Sequence, residues 1–185
     1  VSGHPATDGN PYAAPVAGDA PSSLDAAMAV YDRHPRLARV VADNFAVYAE
    51  LWRLRRDPPG WPRPWNWAAF LFDFKWLLYR RMYGMAVAYV LISMVGGAAI
   101  VLAGMDDAAI WGLTLALKIA VSLAANALYL RRCRAVIARA EAAGAGDGAR
   151  VEAYIDRRSG VSRLGLGLGI VFSVALQALD LFGNA

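Results

Sequence analysis

Cysteine and histidine are almost missing from this chain. One cysteine, Cys133, excludes an internal disulfide and any cysteine-cluster metal site. Two histidines, His4 and His34, leave no His-rich ligand set and little acid–base capacity. No Ser/His/Asp or Cys/His arrangement, phosphate loop or metal-ligand spacing is found. The sequence therefore points away from an enzyme, a lipid-acting enzyme being the one exception left open, and implies no catalytic residue, cofactor or metal. Charge is scarce too. Only 18% of the 185 residues are charged while 58% are hydrophobic, against about 25% and 45–50% in soluble domains. With a mean hydropathy of +0.35, this composition suggests a membrane protein.

Three runs carry that excess. Residues 83–104 hold no charge, residues 108–130 hold only Lys118, and residues 162–182 hold only Arg163 and Asp180, near the two ends. About 20 apolar residues in a helix cover a hydrocarbon core of roughly 30 Å. The expectation is an all-α integral membrane protein with three transmembrane helices in residues 83–182. Met105, Asp106 and Asp107 join the first two as a tight hairpin.

The lysines and arginines orient the spans. Ten precede the first span, none lies in the first loop, eight fall between Arg131 and Arg163, and none follows Phe182. The positive-inside rule places the N-terminus and the 131–161 connection in the cytoplasm and the C-terminus in the periplasm.

Ahead of the spans, residues 1–22 carry four prolines and few groups to bury, and are expected to be a disordered tail. Their Asn10–Pro15 run could dock a partner, and no apolar core of a secretory signal is present. Residues 23–57 are expected to form cytosolic amphipathic helices, a short one to about Arg33 and a longer one from about Arg36, separated at Pro35. Leu37, Val40, Val41, Phe45, Tyr48, Leu51 and Trp52 form its apolar face, which could lie on the membrane, on a partner or on the rest of the chain.

Residues 58–82 combine a proline-rich connector with an aromatic segment. Trp61, Trp65, Trp67, Trp76, Tyr79, Arg80 and Arg81, with Arg131 and Arg132 after the second span, are the expected membrane-interface residues. The apolar part of 65–82 is too short to span, so an interfacial helix or a shallow re-entrant segment is expected.

Polar residues inside the spans are the candidate functional positions. Thr114, Lys118, Ser122 and Asn126 recur every four residues and share one helical stripe. Ser173, Gln177 and Asp180 lie on the third span, and Ser93 on the first. Depth makes Gln177, Ser173 and Ser93 better partners for Lys118 than Asp180. Such a stripe must face protein or water. It is either inter-helix hydrogen bonding or a polar pathway around Lys118. Gly165 and Gly169 form a small-xxx-small face, with Gly96 and Gly97 as a possible counterpart.

The segment Trp65–Tyr83, WNWAAFLFDFKWLLYRRMY, resembles the signature of small bacterial inner-membrane proteins classed as domain of unknown function 2628. Residues 125–140 and Arg158–Ser162 are similar to later parts of that family's pattern, so the resemblance covers about residues 65–165. It implies an inner-membrane location but no activity and no catalytic residues. The family usually has Gly-Pro where this chain has Asp73-Phe74, a departure that favours a continuous helix over a re-entrant turn.

The functional expectation is a small non-enzymatic inner-membrane accessory or scaffold protein. Its partners would be the lipid bilayer and a membrane-protein partner or a second copy of itself. Acidic residues interrupt its basic stretches, so nucleic acid is not expected. The alternative is a small oligomeric transporter or channel with the polar stripe around Lys118.

Overall fold

The computed structural model describes residues 23–56 and 60–183. The expected tail 1–22 and Pro58–Pro59 of the connector lie outside the described residues. The described chain is mainly helical: α1 Ser23–Arg33, α2 Pro35–Val41, a 3-10 turn Ala42–Asn44, α3 Phe45–Leu51, α4 Trp67–Tyr79, α5 Tyr83–Leu102, α6 Asp107–Gly144, α7 Gly148–Arg158 and α8 Arg163–Gly183. Among the described residues no strand occurs.

α5, α6 and α8 are long and apolar enough to cross a membrane. Their outer surfaces show why they need one. Val95, Leu102, Leu164 and Val171 are exposed, as are most of their apolar neighbours on α5 and α8. A patch of that extent is not stable in water.

The well-packed core lies at the charged end of the molecule. There α6 continues beyond the apolar run, and α2, α3 and α7 pack around the extension. Val40, Val41, Phe45 and Trp52 are buried with Tyr129, Cys133, Val136 and Ile155. The apolar face of residues 37–52 is thus spent within the chain. The longer helix expected there is broken: Ala42 has φ 61°, and a 3-10 turn separates α2 from α3. The bend lets Val40 and Val41 on one piece and Phe45 and Tyr48 on the next face the same core. Arg36–Glu141, Arg39–Glu152 at 2.9 Å and Arg39–Asp156 at 2.6 Å fasten the rim.

α4 corrects a second expectation. It is not one continuous interfacial helix. Asp73 has φ 45° and ψ −125°, a conformation that suits glycine and breaks the helix in two. The break falls where the resembled family carries Gly-Pro, so the turn persists here without its glycine.

Contacts with the neighbours give the course of the two limbs. Asn66 meets Ser122 and Asn126, Asp73 meets Lys118, and Trp76 meets the ring of Tyr129. The chain climbs along α6 to Lys118 and then returns to Tyr129, eleven residues or about 16 Å lower. On α8 the second limb runs from Ser173, which Lys75 touches, down to Ser162, whose N–H donates to the Tyr79 carbonyl at 2.8 Å. α4 is a helical hairpin wedged among α5, α6 and α8.

Glycines set two of these contacts. A Cβ on Gly165 would lie 2.9 Å from the Leu78 carbonyl oxygen, and one on Gly169 would lie 3.0 Å from Leu78 Cδ1. The Gly165–Gly169 face therefore receives α4, not Gly96 and Gly97. Gly96 instead admits Leu113 across the α5–α6 hairpin, while Gly97 faces open space.

Candidate functional sites around the re-entrant segment

The first limb of α4 is held by amides. Asn66 caps it by accepting from the Ala69 N–H at 3.0 Å and donates through Nδ2 to Asn126 Oδ1 at 2.8 Å. Asn126, fully buried, donates to the carbonyls of Arg63 at 2.8 Å and Trp65 at 3.2 Å. The Trp52 indole donates to the Asn126 carbonyl at 2.9 Å. Ser122 is also fully buried, its hydroxyl donating to the Lys118 carbonyl at 2.6 Å. A proline-rich segment cannot satisfy its own carbonyls by helix formation, and Asn126 does it from α6.

At the tip, Asp73 accepts from two lysines. Lys118 Nζ donates to Asp73 Oδ2 at 3.0 Å and to the Phe70 carbonyl at 3.3 Å. Lys75 Nζ donates to Asp73 Oδ1 at 3.1 Å and to Ser173 Oγ at 3.3 Å. Lys118 is therefore paired with Asp73, not with the expected Gln177, Ser173 or Ser93. Ser173 enters the cluster only through Lys75, and Ser93 donates to the Tyr89 carbonyl of its own helix. Thr114 likewise bonds its own helix at the Ile110 carbonyl. Gln177 is exposed, and the side chain of Asp180 lies outside the described residues. Asp73 is not among the candidate polar residues expected from the spans, because it lies in a segment too short to span. The available signal was an acid in a segment too short to span, opposite a lone lysine in a span.

The return limb presents a different arrangement. Trp76 and Arg80, one helical turn apart, face α6 and are buried. This corrects their placement at the membrane surface: the break at Asp73 turns that face inward. The Arg80 guanidinium lies 4.7 Å from the Tyr48 ring centroid, 5.0 Å from Tyr129 and 5.3 Å from Tyr79. No carboxylate pairs with it among the described residues, and its Nε and Nη1 have no acceptor. Burial pushes the Tyr48 phenol above its usual range, although Arg80 draws it back, so no phenolate supplies the missing charge near neutral pH.

Arg80 lines a cleft of about 500 Å³ between α3, α4 and the start of α8. Tyr48, Trp65, Phe72, Trp76 and Leu166 form much of its wall, and no acidic residue lines it. The Trp65 indole N–H also lacks an acceptor. Of the remaining interface candidates, Trp61, Trp67 and Arg131 are exposed, while Tyr79, Arg81 and Arg132 are half-buried. Among the described residues no group of three His, Cys, Asp or Glu could hold a metal.

Trp52, Asn66, Asp73, Arg80, Lys118 and Asn126 all fall inside one stretch that a family model recognises. Residues 46–134 match a protein family of unknown function, DUF2628. The DUF2628 match begins in α3, upstream of the resemblance noted from residue 65. It ends in α6, so Arg158–Ser162, α7 and α8 lie beyond it. No curated protein and no solved structure matches the chain.

Proposed function

We propose that this chain is a non-enzymatic accessory protein of the bacterial inner membrane that holds one anionic lipid against Arg80. Its N-terminus and the 131–161 connection lie on the cytoplasmic side and its C-terminus on the periplasmic side. Arg80 is the observation that carries the reading. A buried guanidinium without a carboxylate lines an aromatic cleft large enough for a headgroup and the start of a chain. Leu166 and Phe72 complete its wall.

Two features that would serve a protein partner support this reading less well. The apolar face of α2 and α3 and the Gly165–Gly169 face are occupied within the chain. The transport alternative draws on the broken α4 and its charged tip. Both lysines there are paired, and the cluster joins α4, α6 and α8, which suits a structural clasp.

The test is native mass spectrometry of the full chain purified in mild detergent, with lipid extraction. At least one retained anionic phospholipid per chain is expected. Arg80→Met should weaken retention about tenfold or more, the loss of one charged contact. A second variant, Leu51→Trp, fills the cleft and keeps the charge, and should also expel the lipid. A lipid-free parent, or retention unchanged in both variants, overturns the reading.

A further inference from the structure

A second cationic site lies on the other side of the return limb. Arg81, Arg132, Arg139 and Arg158 line a cleft of about 430 Å³ below the start of α5, and no acidic residue lines it. Two of the four are fixed by backbone. Arg81 Nη1 donates to the Arg157 carbonyl at 3.0 Å, and Arg132 Nη2 donates to the Arg158 carbonyl at 2.9 Å. The C-terminal end of α7 thus holds two guanidiniums side by side and offsets part of their repulsion. Arg81 Nε and Arg132 Nη1 have no acceptor. Arg158 is steadied by the Tyr154 ring, 4.1 Å from its guanidinium.

Four like charges converging without a counter-charge suit an anion with more than one negative charge. The wall beside them indicates its form. An adjoining cleft shares Arg81 and Arg132 and adds Met82, Met85 and Leu128. Met85 and Leu128 lie on helices that lead into the apolar spans. A ligand could therefore place phosphates among the arginines and an acyl chain along α5 and α6.

We infer that this groove binds a phospholipid whose headgroup carries two or more negative charges, at a site separate from the Arg80 cleft. The site does not rest on the Arg80 reading.

The experiment is native mass spectrometry of the full chain in micelles doped with cardiolipin, phosphatidylglycerol or phosphatidylcholine, with inorganic pyrophosphate as a soluble competitor. Cardiolipin should be retained best. Arg139→Gln, at an exposed arginine of the groove, should weaken that retention about fivefold, and Arg132→Gln at least as much. Arg134→Gln, an exposed arginine outside the groove, should leave it unchanged, and Arg80→Met should remove at most the lipid of the other cleft while one cardiolipin stays bound. Equal retention of the three lipids overturns the proposal, as does an equal loss in Arg134→Gln. Full displacement by pyrophosphate without lipid preference would make it a site for free polyphosphate and would also overturn it. Loss of all bound cardiolipin in Arg80→Met alone would assign the lipid to the other cleft and refute a separate site.

Discussion

The two limbs of α4 bury charge in opposite ways. At the tip, the one carboxylate of Asp73 is countered by two ammonium groups, Lys75 and Lys118, and one further donor of each lysine finds a carbonyl or a hydroxyl. Two turns further down the return limb, Arg80 is as deeply buried but has three tyrosine rings and no carboxylate around it. A matched charge holds two helices in register. An unmatched one stabilises little by itself and leaves a site for an anion. The comparison separates what maintains the fold from what is free to bind.

The largest effect is expected at Asp73. Asparagine tolerates a positive φ, so Asp73→Asn keeps the turn while removing the charge. Two lysines then remain at the tip without their counter-ion, which should cost about 3 kcal/mol or more in reversible unfolding in detergent. The triple variant Asp73→Asn, Lys75→Met, Lys118→Met removes every member and should be more stable than the single variant. A single variant as stable as the parent would break the comparison, because the tip would then be no clasp.

Asn126 comes next. Asn126→Leu leaves the part-buried carbonyls of Arg63 and Trp65 and the buried side-chain amide of Asn66 without this partner. The expected loss is about 2 kcal/mol, read from the same unfolding curves. The indole of Trp52 bonds to the Asn126 backbone, so its contact survives the change.

How far these sites could be read beforehand depended on the range of the physics. Length and hydropathy made the three spanning helices legible, because a continuous apolar run needs no knowledge of its neighbours. The four-residue stripe on α6 singled out Lys118, Ser122 and Asn126, which all meet α4 or lie where it docks. Their partners were not legible. Asp73, Asn66 and Arg80 belong to a segment whose course depends on one residue at positive φ, and Asp73 is not the residue type that announces such a turn. Reading a straight helix there put Trp76 and Arg80 on the membrane surface, whereas the break turns them toward Tyr129.

Arg80 supplies the sharpest contrast with Asp73. Replacing it by methionine gives up three ring contacts, each worth about 0.5–1 kcal/mol, and removes the desolvation cost of an unpaired cation. These terms oppose one another, and stability should change by less than about 1 kcal/mol while lipid retention falls. A loss as large as that of Asp73→Asn would show that Arg80 supports the fold through a partner of its own.

The smallest effect belongs to charges that are paired in water. Arg39 holds the Asp156 carboxyl below its ordinary value of 3.8 through a hydrogen bond, and both groups are exposed. The folded-state value is depressed, so this contribution is complete above the ordinary value and disappears as pH falls through the folded one. Arg39→Ala should therefore lower the unfolding temperature slightly at pH 7 and not at all near pH 2. The difference at pH 7 should also shrink in high salt, because solvent screens a pair at the surface. The tip of α4 has the same chemistry, a carboxylate between cations, and should keep its contribution in salt because α4, α6 and α8 enclose it. Equal salt sensitivity at the two places would mean that water reaches Asp73, and the contrast between a matched clasp and an unmatched site would lose its basis.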